Sequence, residues 1–262
     1  MQPFTAAYPL TMAAAAPVTG HALFPVMSAV GSLNTAGVLV ARRKSHRQPH
    51  IMEIMQLCRV AMESAALTIW LLSDPDPDVR RVRCLEVEME QLRHQKQFLV
   101  IDAENEAGRG DRYTPQLRAM NAEHRTKFNG VFDAAKEAYS FAKPPSFTDM
   151  TRSSARWIDT HVPAHDAGEI ATAGMEGIAR SFYCYGSSFV HGYQWMTGYA
   201  QGGTVFALVS DALAVALNMT ECAACLFEAA SRRPGGARSD GSYLPERFES
   251  TVAAWSKELF SA

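Results

Sequence analysis

The chain has 262 residues, of which 47% are hydrophobic and 20% are charged, and its formal net charge is −2. These values are ordinary for a globular protein. The near-neutral charge argues against a dedicated binder of nucleic acid or of anionic membranes, because such proteins carry a marked excess of positive charge. The five cysteines are an odd number without a secretory pattern, so we expect reduced thiols in a soluble, cytoplasmic protein.

Hydrophobic periodicity predicts helices along almost the whole chain after an extended lead-in at residues 1–17, which contains three prolines. The alternating, β-branched runs that are typical of strands do not occur. We therefore predict an all-α fold, an up-and-down bundle of seven or eight helices in which residues 18–262 form a single helical domain. The predicted helices cover, in chain order, residues 22–41, 50–72, 78–106, 115–142, 149–161, 167–192, 203–232 and 245–260.

The first predicted helix, at residues 22–41, has the length of a membrane span. It contains no charged side chain, and three basic residues at positions 42–44 follow it. It also contains Pro25, Asn34 and several glycines and serines, which are more typical of a helix buried in protein. We interpret it as a core helix and expect no membrane contact, while its length leaves a span open.

Arginines and a glutamate form the first two candidate segments. Arg59 and Glu63 are four residues apart on a predicted helix, so they share a face. The simplest interpretation is a structural ion pair, and the alternative is an anion site in which Glu63 holds the Arg59 guanidinium. Arg80, Arg81 and Arg83 open the next helix, where the helix dipole favours acidic residues. They predict solvated charge, or else contacts with a carboxylate or a bound phosphate.

The third candidate segment lies near the end of the helix predicted at 167–192. Ser188 and His191 are three residues apart and face the same way on a helix, and Tyr185 could also reach Ser188. A Ser–His contact needs an orienting acid and an oxyanion hole to activate a nucleophile, and no G-x-S-x-G elbow is present. We interpret His191 first as a core histidine, and roles as acid, base or ligand stay open.

Two further groups of residues have the chemistry of metal ligands. Cys222 and Cys225 form a C-x-x-C inside a long apolar run, without a second such pair to complete a zinc site. A proline separates the histidines of the other group, which weakens a helical ligand pair. That group comprises Asp159, His161, His165 and Asp166. We interpret the cysteines as small core residues and the other group as loop and helix-cap chemistry, and we predict no metal site and no cofactor.

The order of these motifs resembles a family of uncharacterised all-helical bacterial proteins, over about residues 50–200. Members of that family share R-x3-E, W-L-L and R-x2-R motifs in the first half and an S-x2-H-G motif in the second. The matching positions here are Arg59 and Glu63, then Trp70 to Leu72, then Arg80 and Arg83, and finally Ser188, His191 and Gly192. The resemblance implies a site shared by the two halves, and the family has no established activity.

Two functions follow as hypotheses. In the first, the protein binds a small anionic ligand or another protein through a polar site between helices, or uses that site to fix helix register. Its candidate residues are Arg59, Glu63, Arg80, Arg83, Tyr185, Ser188 and His191. The sequence leaves open whether the protein is an enzyme and whether it forms a homodimer.

The alternative is a metal-independent ribonuclease, because the chain resembles helical toxin and defence nucleases in having an arginine and a histidine near one helix end. In that reading Arg59 or another arginine stabilises charge and His191 moves the proton. The nearest preceding arginine, Arg180, is eleven residues before His191, which departs from the short spacing in those nucleases. The near-neutral net charge also fits nucleic acid poorly.

Overall fold

Eight α-helices account for most of the described chain, and no strand occurs in the described ranges, so the predicted all-α bundle is confirmed. The computed structural model describes residues 18–42, 50–108, 113–138, 142–166, 168, 174–196, 198, 204–232, 234–235 and 244–261. The helices are α1 (Val18–Arg42), α2 (Ile51–Leu72), α3 (Pro77–Gly108), α4 (Pro115–Ala138), α5 (Phe147–Thr160), α6 (Met175–His191), α7 (Thr204–Ser231) and α8 (Glu249–Leu259). The lead-in predicted at 1–17 lies outside the described residues.

The chain divides into two compact units. The larger unit comprises Val18–Arg80 and Pro145–Ala262, and therefore holds α1, α2 and α5 to α8. The smaller unit comprises Arg81–Pro144 and the N-terminal Met1–Pro17, and its described helices are α4 and most of α3. The single domain predicted for residues 18–262 stays a prediction.

Helix α2 is the central helix of the larger unit, where it packs against α1, α5, α6 and α7. A helix that is apolar on nearly every side must be surrounded by protein or by lipid, and here protein surrounds it. The apolar side chains that it buries are Ile54, Met55, Cys58, Ala61, Met62, Ala65, Ala66, Ile69, Leu71 and Leu72. The described ends of α2 agree with the helix predicted at 50–72.

The smaller unit contains a helical hairpin in which α4 returns antiparallel along α3. Its apolar contact is short and consists of Leu99, Phe128 and Phe132, against which Leu92 also packs. Near the tip, the buried Glu106 accepts a hydrogen bond of 2.8 Å from Nη1 of Arg125. This unit therefore depends on one charged contact as well as on a small apolar cluster.

The prediction of a cytoplasmic protein is wrong, because three helices are long and apolar enough to cross a membrane. They are Gly20–Arg42, Ile51–Leu72 and Thr204–Ser231. The prediction judged only the stretch at 22–41, and took its small polar residues as the mark of a buried helix. The structure buries 22% of the apolar window of α1, against 61% for α2, so α1 is the least enclosed of the three.

Gly186 of α6 allows a close approach that a larger residue would block. A Cβ atom at this position would lie 2.9 Å from Cε2 of Phe182, whose side chain is fully buried. Gly186→Ala therefore forces the ring to shift, which costs about 1–3 kcal/mol and outweighs the gain of about 1 kcal/mol in helix propensity. We expect a net loss of about 1 kcal/mol in the free energy of unfolding, measured in urea.

Gly177→Ala on the same helix is the matched control, since nothing lies within 4 Å of its added Cβ atom. Helix propensity alone then acts, and we expect a gain of about 0.5–1 kcal/mol. If both substitutions stabilise the protein equally, Phe182 does not require the glycine.

Glu106 makes the stability of the smaller unit depend on pH. Hydrogen bonds from Arg125 and Asn121 lower the pKa of Glu106 below its usual value of 4.5. A carboxyl group with a lowered pKa stabilises the fold above its unfolded pKa and loses this effect as the pH falls through its folded pKa. We expect Glu106→Gln to lower the free energy of unfolding most at about pH 6, and progressively less below about pH 4.5.

Urea unfolding of the parent and the variant over that pH range measures the difference. Glu123→Gln is the control, because Glu123 pairs with Lys127 on the exposed surface of α4, where solvent screens the pair. Equal effects of the two substitutions would show that the burial of Glu106 contributes nothing.

Candidate functional site

Helices α2 and α6, which carry segments from the two halves of the sequence motif, pack against each other. The side-chain amide of Gln56 donates a hydrogen bond of 3.4 Å to the carbonyl oxygen of Phe189. One turn further along α2, the guanidinium carbon of Arg59 lies 4.4 Å from the centroid of the Tyr183 ring. Positions 56–59 of α2 and 183–189 of α6 therefore lie along one interface between helices.

Both ends of α6 are fixed by specific caps. The carboxylate of Asp159, at the end of α5, accepts hydrogen bonds from the backbone N–H groups of Met175 and Glu176 at 2.6 and 2.9 Å. It therefore caps the start of α6, and its negative charge interacts favourably with the helix dipole. At the other end Gly192 has φ +66°, and its N–H bonds the carbonyl oxygen of Ser188. The Gly of the S-x2-H-G motif thus serves as a helix C-cap.

Arg59 is the charged residue at the centre of this interface. Its Nε donates a hydrogen bond of 2.8 Å to Oε1 of Glu63, and its guanidinium stacks on Tyr183. Its side chain is only 10% exposed, and the buried Nη1 has no hydrogen-bond acceptor among the described residues. A buried donor of this kind costs about 1–3 kcal/mol unless a water or a ligand satisfies it.

Arg232 shows how the same protein satisfies a structural arginine. Its side chain is 12% exposed, and its Nε also pairs with a glutamate four residues away, Glu228, at 2.9 Å. In addition, both of its terminal nitrogens donate to Glu249 of α8, at 2.5 and 3.3 Å. These hydrogen bonds raise the pKa of Arg232. Arg59 is similarly buried and also pairs with a glutamate four residues away, but its Nη1 has no acceptor among the described residues.

Arg80 and Arg83 lie near the start of α3. Arg80 is buried, and its Nη1 donates to the carbonyl oxygens of Asp74 at 2.5 Å and Pro75 at 3.0 Å, so it closes the turn between α2 and α3. Arg83 belongs to the smaller unit, where burial raises the pKa of Glu86 and the charge of Arg83 opposes that shift. The contacts of Arg80 are those of a turn-stabilising residue.

Tyr185, Ser188 and His191 of α6 have three different surroundings. The Tyr185 hydroxyl donates to the carbonyl oxygen of Leu208 in α7 at 3.2 Å, and burial raises its pKa, so it remains a donor. Ser188 is buried. His191 is exposed, because it is the last residue of α6, and its ring lies beside Tyr193. Because His191 is exposed, the interpretation of it as a core histidine is wrong. Within the described chain no hydrogen bond joins Ser188 to His191.

A buried network around His165 was not predicted. Its Nδ1 lies 2.9 Å from Oγ1 of Thr251, and its backbone N–H also donates to that oxygen. Its Nε2 lies 3.5 Å from Glu221, which also binds Arg247, and the ring packs edge-on against Phe248. A hydroxyl, an imidazole and a carboxylate thus lie in a row. Because Thr251 is buried, we interpret this row of side chains as a structural link from the segment that follows α5 to α7 and α8.

The histidine–aspartate group of the sequence is therefore divided among structural roles. Asp159 caps α6, His161 pairs with Glu258 at 2.9 Å, and His165 joins the network with Thr251. Among the described residues no group of three or more His, Cys, Asp or Glu side chains could hold a metal ion. Sequence reasoning did not find the contact between His165 and Thr251, because the two residues are 86 positions apart and no local pattern relates them.

Comparison with protein-family models, with curated proteins and with solved structures finds no match for this chain. The family resemblance inferred from the motifs at Arg59, Arg80 and Ser188 stays a prediction. The site is therefore characterised by its own geometry, in which the buried Nη1 of Arg59 has no acceptor among the described residues.

Thr251→Val should destabilise the protein although it keeps the volume of the side chain. The substitution leaves the backbone N–H and Nδ1 of His165 without their partner, and a buried unsatisfied polar group costs about 1–3 kcal/mol. Thr251→Ser keeps the hydroxyl and loses only a methyl group, about 1 kcal/mol. Denaturant unfolding measures both variants, and a smaller loss for valine than for serine would contradict the structural role of the network.

Proposed function

We propose that this protein binds a small anionic ligand between α2 and α6, with Arg59 as its anchor. The observation that carries the proposal is the buried Nη1 of Arg59, which has no acceptor among the described residues. Arg232 supports the distinction, because a structural arginine of equal burial in this chain has carboxylates on both sides. A ligand that accepts a hydrogen bond from Nη1 of Arg59 would satisfy that group as Glu249 satisfies Arg232.

The surroundings of Arg59 favour a singly charged ligand such as a carboxylate. Glu63 fixes one edge of the guanidinium and Tyr183 fixes its face, so the free edge is held in place before a ligand arrives. A guanidinium N–H group matches a carboxylate or phosphate oxygen. Because Glu63 offsets the charge of Arg59, the site has little net positive charge to offset the desolvation of an anion, and that cost is larger for a dianion than for a monoanion. We therefore expect carboxylates to bind more tightly than phosphate.

The ribonuclease alternative is supported by no specific contact. Arg59 is paired with Glu63, and His191 is exposed beside Tyr193 at the end of α6. The resemblance to uncharacterised helical proteins implies a shared site and is compatible with ligand binding. A role of this interface in binding another protein, or in fixing helix register alone, is separated from ligand binding by the experiment with Arg59.

The test measures thermal unfolding in acetate, benzoate and phosphate, each against sodium chloride at equal ionic strength. A ligand that binds only the folded state raises the melting temperature. We expect a carboxylate to raise it in the parent protein, and Arg59→Ala to abolish the increase. Without ligand, Arg59→Ala should cost less than about 2 kcal/mol, since it loses a cation–π contact and leaves Glu63 partly solvated.

Arg232→Ala is the matched control. It removes three charge-assisted hydrogen bonds, so it should cost more than Arg59→Ala without ligand and leave the ligand-dependent increase unchanged. If none of the anions stabilises the parent, or if Arg59→Ala costs as much as Arg232→Ala, Arg59 is a structural residue and the proposal fails. RNA cleavage lost in both Arg59→Ala and His191→Ala would favour the ribonuclease instead.

A further inference from the structure

Helix α1 directs mostly small side chains towards the protein and large apolar side chains away from it. Ala22, Ala29 and Ala36 are fully buried and repeat every seven residues, and Val26 is the largest apolar side chain of α1 that is buried. Large apolar residues face away from the protein. They are Leu23, Phe24, Met27, Val30, Val38 and Val40, and Phe24 and Met27 are 80% and 62% exposed. A helix evolved only for contact with a protein core would bury its large side chains, because they contribute most to the hydrophobic effect.

This outer face has the properties of a surface for lipid. No Asp, Glu, Lys or Arg precedes Arg42, so α1 itself contributes no charged side chain to this face before its last residue. The hydroxyl of Thr35 is satisfied within the helix by the carbonyl oxygen of Gly31 at 2.9 Å, as hydroxyls are in hydrocarbon. Three basic residues, at positions 42–44, follow the apolar stretch and complement anionic headgroups.

The packing of the larger unit favours a helix that lies in the plane of the membrane over one that crosses it. Helix α1 packs along α2, and the other side of α2 is covered by α5 and α6. On those two helices Arg152, Arg156 and Glu176 form an exposed ionic cluster. If α1 and α2 crossed the bilayer together, these charges would enter the hydrocarbon, which is costly.

We infer that the outer face of α1 inserts into the surface of a lipid bilayer with anionic headgroups, with α1 parallel to the membrane and the rest of the larger unit behind it. The large apolar side chains enter the acyl region, and Arg42 at the end of α1 contacts the headgroups. The inference is independent of the ligand proposed at Arg59.

Flotation of the full chain with vesicles tests the inference. We expect binding to vesicles of phosphatidylcholine and phosphatidylglycerol at about 7:3, and weaker binding to phosphatidylcholine alone. Phe24→Glu should weaken the binding about tenfold or more, since it replaces an aromatic side chain that enters the bilayer with a charged one. Phe98→Glu is the matched control, because Phe98 is also exposed, at 62%, and lies on α3. It should bind like the parent.

A fluorescent probe on an introduced cysteine reports the orientation. The background is Cys184→Ser, because Cys184 is the exposed cysteine among the described residues. The probe is placed by Phe24→Cys, Val30→Cys or Val38→Cys, and quenching by lipids with nitroxides at two depths locates it. Equal, shallow depths are expected for a helix in the membrane plane. A maximum at position 30 would overturn that orientation.

Two other results would overturn the inference. One is a parent protein that binds neither kind of vesicle, or a Phe24→Glu variant that binds as well as Phe98→Glu. The other is a parent that is dimeric by light scattering without lipid and becomes monomeric in Phe24→Glu, while neither binds vesicles. A second copy of the chain would then cover the outer face of α1.

Discussion

The enclosure of α2 by four other helices is the constraint on which the larger unit depends. Because α2 is apolar on nearly every side, it is stable in water only when α1, α5, α6 and α7 cover it. Its few polar groups then decide how the neighbours align, and a hydrogen bond joins α2 to each of three of them. The bonds are Ser64 to Ser28 of α1, Ser154 of α5 to the carbonyl of Ala66, and Gln56 to the carbonyl of Phe189 of α6. A shift by one helical turn would break these bonds, and at the buried bond of Ser154 it would leave a polar group unpaired, at about 1–3 kcal/mol.

The periodicity of the sequence is sufficient for the helices and insufficient for their partners. The helices predicted at 50–72 and 203–232 agree with α2 and α7 to within a residue, since a repeat of 3.6 residues is a local property. The contact between Gln56 and Phe189 joins positions 133 residues apart, and no repeat relates them. The same is true of His165 and Thr251. Gly192 belonged to a recognised motif, but only its positive φ identifies it as the cap of α6.

Arg59 and Arg232 illustrate why the candidate site was only partly predictable. Each pairs with a glutamate four residues away on its own helix or at its end, Glu63 in one case and Glu228 in the other. The spacing of four residues is therefore the same for both, although Arg59 precedes its glutamate and Arg232 follows its own. The difference is Glu249, which α8 brings to Arg232 and which has no counterpart at Arg59 among the described residues. A pattern within one helix cannot show whether a second helix completes the hydrogen bonds, and that completion separates a structural arginine from one with a free edge.

The two sides of α2 also have surroundings of different charge, which the net charge of the whole chain does not show. A net charge of −2 describes the chain, yet the first 41 residues contain no charged side chain at all. Ser64 contacts α1, and Arg59 is five residues away on the same helix; at about 100° per residue the two side chains point about 140° apart. The Arg59 edge of α2 therefore faces away from the helix that has the exposed apolar face. If α1 lies in a bilayer, the contact between α2 and α6 is directed towards the aqueous side. A water-soluble anion could then reach Arg59 without crossing lipid, so the two proposals are compatible within one orientation of the larger unit.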